Sequence, residues 1–140
     1  MAFLFDTNAI SEVMRPRPNE GYVAWIRSLP RDEQFTSSVV IGEMYAGAYS
    51  SKATAKWLDR IERLVLPTIT VLNFDLATAR EYGRIRGELR QAGRPIDEAD
   101  LMIAATAIRH GLTLVTANIS HFERVHGLSL RSFEQGSVHD

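Results

Sequence analysis

The sequence predicts an α/β fold, a single domain in which a central, mainly parallel sheet of four to five strands is flanked by helices. Short apolar runs that end at turn-forming residues alternate with longer segments of helical periodicity. Alternation of this kind is typical of parallel sheets with right-handed crossovers. The length of 140 residues suits one domain. We assign residues 1–133 to this domain and expect residues 134–140 to form a poorly ordered tail.

The composition excludes several classes of protein. The chain contains no cysteine, which excludes disulfides, cysteine-based zinc sites and thiol nucleophiles and is compatible with a reducing cytoplasm. No apolar run reaches the roughly 20 residues of a membrane helix, and the first residues lack the basic region of a signal peptide. We therefore expect a cytoplasmic protein with no membrane partner. The net charge of −1 means that nucleic acid could be bound only through a local patch.

The first predicted strand is the apolar run Phe3–Phe5, which stops at Asp6, Thr7 and Asn8. Asp6 would then lie at the carboxyl end of the strand, where ligands bind in open α/β sheets. The alternative is that one of the three polar residues caps the next helix, predicted over residues 9–14. A cap explains one polar residue well and three in a row less well.

The helix that follows the second predicted strand contains the second candidate acid, Glu43. Prolines interrupt the chain after the first helix, and a further helix with an apolar face runs to Leu29. Phe35–Ser37 is the predicted second strand, followed by a helix over residues 39–49. Glu43 lies inside that helix among apolar neighbours. A glutamate in a helix is usually solvated, but here the exposed face is narrow.

The middle of the chain is predicted as a helix, a strand and a second helix. The helix over residues 53–66 directs five apolar side chains inward, namely Trp57, Leu58, Ile61, Leu64 and Val65. The third strand covers residues 69–72 and is β-branched and apolar. Asp75 then caps the helix over residues 76–91.

That last helix is rich in arginine, at positions Arg80, Arg84, Arg86 and Arg90, with Arg94 beyond it. We interpret these residues mainly as a solvated face, since charged helix faces are usually no more than that. The alternative is a surface that contacts phosphates or an acidic partner.

The central helix begins after the turn at residues 93–95 and carries the third acid. From Leu101 to Ile108 it is apolar on nearly every face, so it must be largely buried. Asp97, Glu98 and Asp100 begin it. Acids are favoured in a first turn, and Asp97 could cap the helix. The alternative is that Asp100 points into an acidic pocket.

The chain closes with the fourth strand, over residues 112–116, and a possible edge strand over residues 128–130. Asp6, Glu43 and Asp100 are then candidates for one edge of the sheet, with Thr116 and Asn118 after the fourth strand. Clustered carboxylates repel and resist ionisation unless a cation lies among them. Carboxylate and water oxygens suit Mg²⁺ or Mn²⁺. The residues alone therefore indicate a divalent-metal phosphodiesterase or phosphohydrolase.

Several motifs, in order along nearly the whole chain, resemble those of one family. They are Phe5–Glu12, Arg15–Glu20, Val23–Ile26, Val40–Met44, Asp100–Ala107 and Leu114–Asn118. On these motifs the sequence resembles the PIN-domain ribonuclease toxins of the VapC family, and most of all the FitB-like members. Any one motif would be a weak match, but together they are specific.

The resemblance implies a PIN-like domain in which Asp6, Glu43 and Asp100 bind Mg²⁺ or Mn²⁺. Thr7 or Asn8, together with Thr116, would support the acids through hydrogen bonds.

The chain has Asn118 where the family often has a fourth acid. We include Asn118 in the catalytic set as a neutral oxygen ligand and expect any second metal to be held weakly. Asp97 could compensate, although we expect capping to be its role.

The resemblance also implies a reaction and partners. The reaction would be in-line hydrolysis of an RNA phosphodiester, with transfer or ribosomal RNA as substrate and Glu43 helping to deprotonate the attacking water. A small DNA-binding antitoxin of the VapB or FitA type would hold the toxin and place an arginine on the acids. A homodimer is typical, and Tyr45, Tyr49 and Trp57 are candidates for the dimer or antitoxin surface.

Other interpretations are weaker. A receiver domain needs an adjacent acidic pair and a late lysine, whereas Lys52 and Lys56 are the only lysines. A phosphatase with an Asp-x-Asp start is contradicted by Asn8. The main alternative is a PIN-like module that binds nucleic acid or protein and has weak or lost catalysis. A deoxyribonuclease is a lesser one.

Overall fold

A computed structural model describes residues 1–93 and 96–133. The strands are β1 (Phe3–Phe5), β2 (Gln34–Ser37), β3 (Thr70–Leu72), β4 (Thr113–Thr116) and β5 (Ser129–Ser132). The helices are α1 (Thr7–Val13), α2 (Glu20–Ser28), α3 (Ser38–Ser50), α4 (Thr54–Arg60), α5 (Leu76–Gln91), α6 (Glu98–His110) and α7 (Ile119–Phe122). No helix in these ranges is long and apolar enough to cross a membrane.

The strands form one sheet in the order β3-β2-β1-β4-β5. Every neighbouring pair is parallel. The predicted α/β class and mainly parallel sheet are therefore confirmed, and the possible edge strand is a true fifth strand beside β4.

The strand order creates a crevice between β1 and β4. From β1 the chain adds β2 and β3 on one side and then crosses over to add β4 and β5 on the other. Ligand sites in open α/β sheets form where the order reverses, outside the carboxyl ends of the strands. Asp6 follows β1 and Thr116 ends β4, so the fold brings these two predicted residues to the same crevice.

The core lies on both faces of the two central strands. Leu4 on β1 and Leu114 on β4 are fully buried. Helix α6 is buried from Ile103 to Ala107, as its apolar sequence predicts. Thr106 fits this interior because its hydroxyl donates to the Met102 carbonyl at 2.8 Å and so is not left unpaired.

Buried polar contacts fix α1 against the rest of the domain. The Tyr22 hydroxyl, inside the core, donates to the Ala9 carbonyl at 2.7 Å. Glu12 is also buried, and its carboxylate accepts from Arg15 Nη1 at 3.0 Å and from the Asn19 amide at 2.8 Å. These contacts hold the proline-rich turn and α2 beside the helix that begins next to Asp6.

The segment predicted as a helix over residues 53–66 is helical, with Ile61 and Val65 buried as predicted, but its second half is not an α-helix. Helix α4 ends at Arg60, a turn of π-helix covers Ile61–Val65, and a 3₁₀ turn covers Leu66–Thr68. A π turn contains more residues than an α turn and rotates the side chains that follow it. Leu64, expected inside, is 59% exposed as a result.

Side-chain caps begin several of the helices. Asp75 accepts from the Thr78 amide, as predicted, and Ser37 accepts from the Val39 amide at the start of α3. Asp97 occupies the capping position of α6, but its exposed side chain makes no capping hydrogen bond. Capping by Asp97 is therefore wrong, and acids in that first turn act on the helix through its dipole. The turn at 94–95 and the tail at 134–140 lie outside the described residues.

Candidate active site

Asp6 is the most buried acid of the candidate site. Its side chain follows β1 and caps α1, and Oδ1 accepts from the Ala9 amide at 2.8 Å. Only 7% of the residue is exposed. Burial raises its pKa from 3.8 to about 6, since the hydrogen bonds from Thr116 and Ala9 only partly offset the loss of water and the charges of Asp100 and Glu43 raise it further. Asp6 thus caps α1 and also lies within electrostatic reach of two other acids.

Asp100 lies in the first turn of α6, close enough to Asp6 for its charge to raise the pKa of Asp6. Burial is again the main effect and raises its pKa, with Asp97 and Glu43 adding to the rise and His121 opposing it. Its side chain is 28% exposed, so solvent reaches the carboxylate. Because Asp6 and Asp100 each sense the charge of Glu43, the three predicted acids act on one another electrostatically.

Glu43 lies on the exposed side of α3, although the sequence suggested a narrow exposed face. The Thr7 hydroxyl, at the start of α1, donates to Glu43 Oε1 at 2.5 Å. Both residues line a cavity of about 300 Å³ with Trp57 and Met44. Thr7 therefore supports an acid of the site, as expected for one of Thr7 and Asn8.

Asn8 makes no comparable contact among the described residues. It is exposed on α1 and lines a neighbouring cavity of about 410 Å³ with Glu12 and Arg15. Its position in the first turn of α1 places it on the outer face, while Thr7 faces α3.

Thr116 joins the two central strands at the site. It is fully buried at the end of β4, and its hydroxyl donates to the Asp6 carboxylate. The same oxygen accepts a hydrogen bond from the backbone N–H of Asn118 at 3.0 Å. Asn118 itself is exposed at the start of α7 and makes no side-chain capping bond. The backbone N–H of Asn118 thus belongs to the hydrogen-bonded network of the site, whereas its side-chain amide makes no capping bond.

His121 is a site residue for which the sequence suggested no role. It lies on α7, and its Nε2 is 3.2 Å from Asp100 Oδ2. The sequence offered only its place in the polar segment after the fourth strand. The contact joins α7 to the first turn of α6, which lies about 20 residues earlier in the sequence, so a local sequence pattern could not predict it.

The donors fit a hard divalent cation chemically. Mg²⁺ commonly binds one or two carboxylates and completes its coordination with water and substrate phosphate. Residues 1–93 and 96–133 contain no group of three acidic or histidine side chains spaced to hold one ion. Two protein ligands completed by water are compatible with both facts, and Asp6 and Asp100, whose pKa values are raised by burial and by neighbouring acids, are the candidates to supply the oxygens.

A larger apolar groove lies beyond α1. It has a volume of about 640 Å³ between α1, α2 and the segment after α4, and is lined by apolar side chains such as Val13, Ile26 and Leu64. Arg15, Arg27 and Arg60 also line it. The groove is therefore apolar with basic groups among its walls.

The basic face of α5 is largely paired within the protein. Arg84 bonds to Glu81 and Glu88 on the same helix, and Arg86 contacts Glu98 of α6 at 2.5 Å. This agrees with the solvated-face interpretation for these two arginines, while Arg94 lies outside the described residues.

Known proteins match over almost the whole chain. The family model for the PIN domain matches residues 3–128. Toxin FitB of Neisseria gonorrhoeae is 37% identical over 124 residues, which are 85% of this chain and 89% of that protein. The tRNA(fMet)-specific endonuclease VapC of Shigella flexneri is 37% identical over 131 residues, 91% of this chain and 95% of that protein.

The fold is also close to that of solved toxin complexes. DNA-bound VapBC from Salmonella typhimurium aligns with a TM-score of 0.86 and 30% identity, over 94% of this chain and 98% of that chain.

Proposed function

The chain belongs to the PIN-domain family, in its group of VapC and FitB relatives, and we propose that it is the toxin of a type II toxin–antitoxin system. It acts as a divalent-metal-dependent endoribonuclease that hydrolyses RNA phosphodiester bonds in the cytoplasm. RNA is proposed because several relatives are named ribonucleases, one of them specific for tRNA(fMet).

One observation carries this proposal more than the others. Asp6, at the crevice between β1 and β4, lies within electrostatic reach of Asp100 and Glu43, and burial adds to the rise in the pKa of the two aspartates. Such an arrangement is unfavourable without a cation and becomes favourable with one. A divalent ion held there by Asp6 and Asp100 would neutralise charge on the scissile phosphate and activate water.

The protein's own groups have distinct tasks in this mechanism. Asp6 is held in place by the Ala9 amide and the Thr116 hydroxyl, so its orientation is fixed before substrate arrives. Glu43 is exposed and is held by Thr7, which suits it to accept a proton from the attacking water. Asn118 lies at the open side of the site and would contact the RNA or a metal-bound water.

The proposed antitoxin binds across the groove beside α1. One solved neighbour is DNA-bound VapBC, and another is described as a member of the VapBC family of toxin–antitoxin systems. The apolar walls and the arginines Arg15, Arg27 and Arg60 fit an amphipathic segment that carries acidic side chains. A basic side chain from the same antitoxin would pair with Asp6 or Asp100. Val13→Asp should then weaken capture of the purified antitoxin, and an unchanged affinity would exclude this groove.

A homodimer is proposed on the exposure of aromatic side chains near α3. Tyr49 is 68% exposed, while Tyr45 and Trp57 are partly buried. Light scattering of the wild type and of Tyr49→Ser tests this, because a dimer that uses Tyr49 should dissociate in the variant.

The activity is tested on a mixed pool of transfer and ribosomal RNA with Mg²⁺ or Mn²⁺. Discrete fragments should form with the wild type, and EDTA or Asp6→Asn should abolish them. Asp59→Asn is the matched control, because Asp59 lies on the surface in an ion pair with Arg63. Cleavage that survives in Asp6→Asn would contradict the proposal.

A second candidate is a PIN-like binding module without catalysis. The lack of a three-ligand cluster in the described ranges favours it. Calorimetric titration decides between the two functions: saturable binding of Mn²⁺ or Mg²⁺ that is lost in Asp6→Asn supports the nuclease, and the absence of binding supports the module.

A further inference from the structure

We infer that His121 Nε2 and Asp100 Oδ2 together form one edge of the divalent-metal site, so that the site selects Mn²⁺ over Mg²⁺. This inference rests on the proposed function, since it assigns the metal and one of its ligands within the same site. It differs from the ligand set that the family resemblance implies, in which every ligand atom is an oxygen.

The geometry of the two side chains is that of neighbouring ligands. Nε2 and Oδ2 are 3.2 Å apart, yet Nε2 makes no hydrogen bond to any residue in the described part of the chain. Because no hydrogen bond forms at this distance, the in-plane direction in which Nε2 would donate or bind does not point at Oδ2. Two ligand atoms at right angles about an ion, each about 2.1 Å from it, lie about 3 Å apart.

The surroundings of Nε2 also favour a ligand. The His121 side chain is 31% exposed, whereas its Nε2 atom is shielded from solvent. The ion pair with Asp100 exists only when the imidazole is protonated, and a buried polar atom that makes no hydrogen bond is unfavourable unless another group satisfies it. Nε2 carries a lone pair when the proton is on Nδ1, and imidazole nitrogen is a common metal ligand.

A nitrogen ligand changes which metal the site prefers. Mg²⁺ is a hard ion that takes oxygen ligands, while imidazole suits first-row transition metals. Mn²⁺ accepts carboxylate oxygen as Mg²⁺ does, and it also accepts an imidazole nitrogen. Replacing a carboxylate by histidine therefore moves the preference of an otherwise oxygen-lined site toward Mn²⁺.

The test measures metal binding without relying on catalysis. Chelator-treated wild type, His121→Gln and His121→Asp are titrated with Mn²⁺ and with Mg²⁺ by calorimetry, and Mn²⁺ samples are examined by pulsed electron paramagnetic resonance for coupling to imidazole nitrogen. His126→Gln is the matched control, because His126 is an exposed histidine in the turn after α7.

We expect nitrogen coupling in the wild type and in His126→Gln, and none in the other two variants. Losing the imidazole should weaken Mn²⁺ binding about tenfold or more and Mg²⁺ binding much less, and His121→Asp should favour Mg²⁺. Wild-type Mn²⁺ without nitrogen coupling, or an unchanged preference in both variants, would overturn the inference. In that case metal-dependent RNA cleavage by the wild type would leave the proposed function standing. If neither Mn²⁺ nor Mg²⁺ binds the wild type, both this inference and the proposed function are overturned.

Discussion

The Thr7 hydroxyl donates a hydrogen bond to Glu43 Oε1 at 2.5 Å, which joins the first turn of α1 to the middle of α3. The two helices follow the neighbouring strands β1 and β2. This contact therefore sets the position of an exposed acid relative to Asp6, the residue that precedes Thr7.

Thr7→Val should lower RNA cleavage about tenfold, because it removes the donor that orients Glu43 while keeping the shape of the side chain. Both groups reach solvent, so the free energy of unfolding should change little. Thr7→Ser keeps the hydroxyl and serves as the control. Equal rates for the valine and serine variants would show that Glu43 does not need this bond.

Thr116→Val tests the link between β4 and Asp6. The variant removes the donor to the Asp6 carboxylate and the acceptor for the Asn118 amide. It should weaken divalent-metal binding about tenfold or more and destabilise the fold by about 1–3 kcal/mol, because the buried Asp6 carboxylate loses a hydrogen-bond donor.

Calorimetry and urea unfolding measure the two effects of Thr116→Val. Thr116→Ser should behave nearly as the wild type in metal binding. Loss of stability with undiminished metal affinity would mean that Thr116 matters only for folding.

The raised pKa of Asp6 predicts how the stability of the metal-free protein depends on pH. Between the ordinary value of 3.8 and the folded value of about 6, the folded chain binds more protons than the unfolded chain. The free energy of unfolding should therefore fall as pH rises through this window. The difference corresponds to about 3 kcal/mol once Asp6 is ionised in both states.

Asp6→Asn should remove that pH dependence and make the metal-free protein more stable at pH 7. Asparagine still accepts from the Ala9 amide, since it caps helices as well as aspartate does. Urea unfolding in EDTA between pH 4 and pH 8 measures the effect. A variant less stable than the wild type at pH 7 would show that hydrogen bonds to the charged form outweigh burial.

The strands and caps could be predicted because their signals are local. Phe3–Phe5 is a buried apolar run ended by polar residues, and Ser37 and Asp75 stand immediately before helices, where their oxygens reach amides of the same chain segment. The place of Asp6 beside Thr116 also followed, because parallel strands bring their carboxyl ends to one edge.

The remaining features depend on packing between distant segments. Leu64 is exposed because a π turn interrupts the helical phase, and Asp97 stands at a capping position without making the bond. The contact between His121 and Asp100 joins residues of two different helices that are far apart in the sequence. The metal-binding and catalytic roles of Asp6, Glu43, Asp100 and Asn118 remain predictions that experiments must test.

The most direct test of the account is the single-turnover rate of RNA cleavage by Asp100→Asn at saturating Mn²⁺. The variant keeps the size of the side chain and removes the charge that faces the crevice. Asp32→Asn is the control, because Asp32 is exposed just before β2. It therefore lies at the amino end of the parallel strands, whereas the candidate site lies at their carboxyl end. We predict that Asp100→Asn loses cleavage while it melts like the wild type, and that Asp32→Asn keeps it. Wild-type cleavage by a folded Asp100→Asn protein would contradict the assignment of the active site.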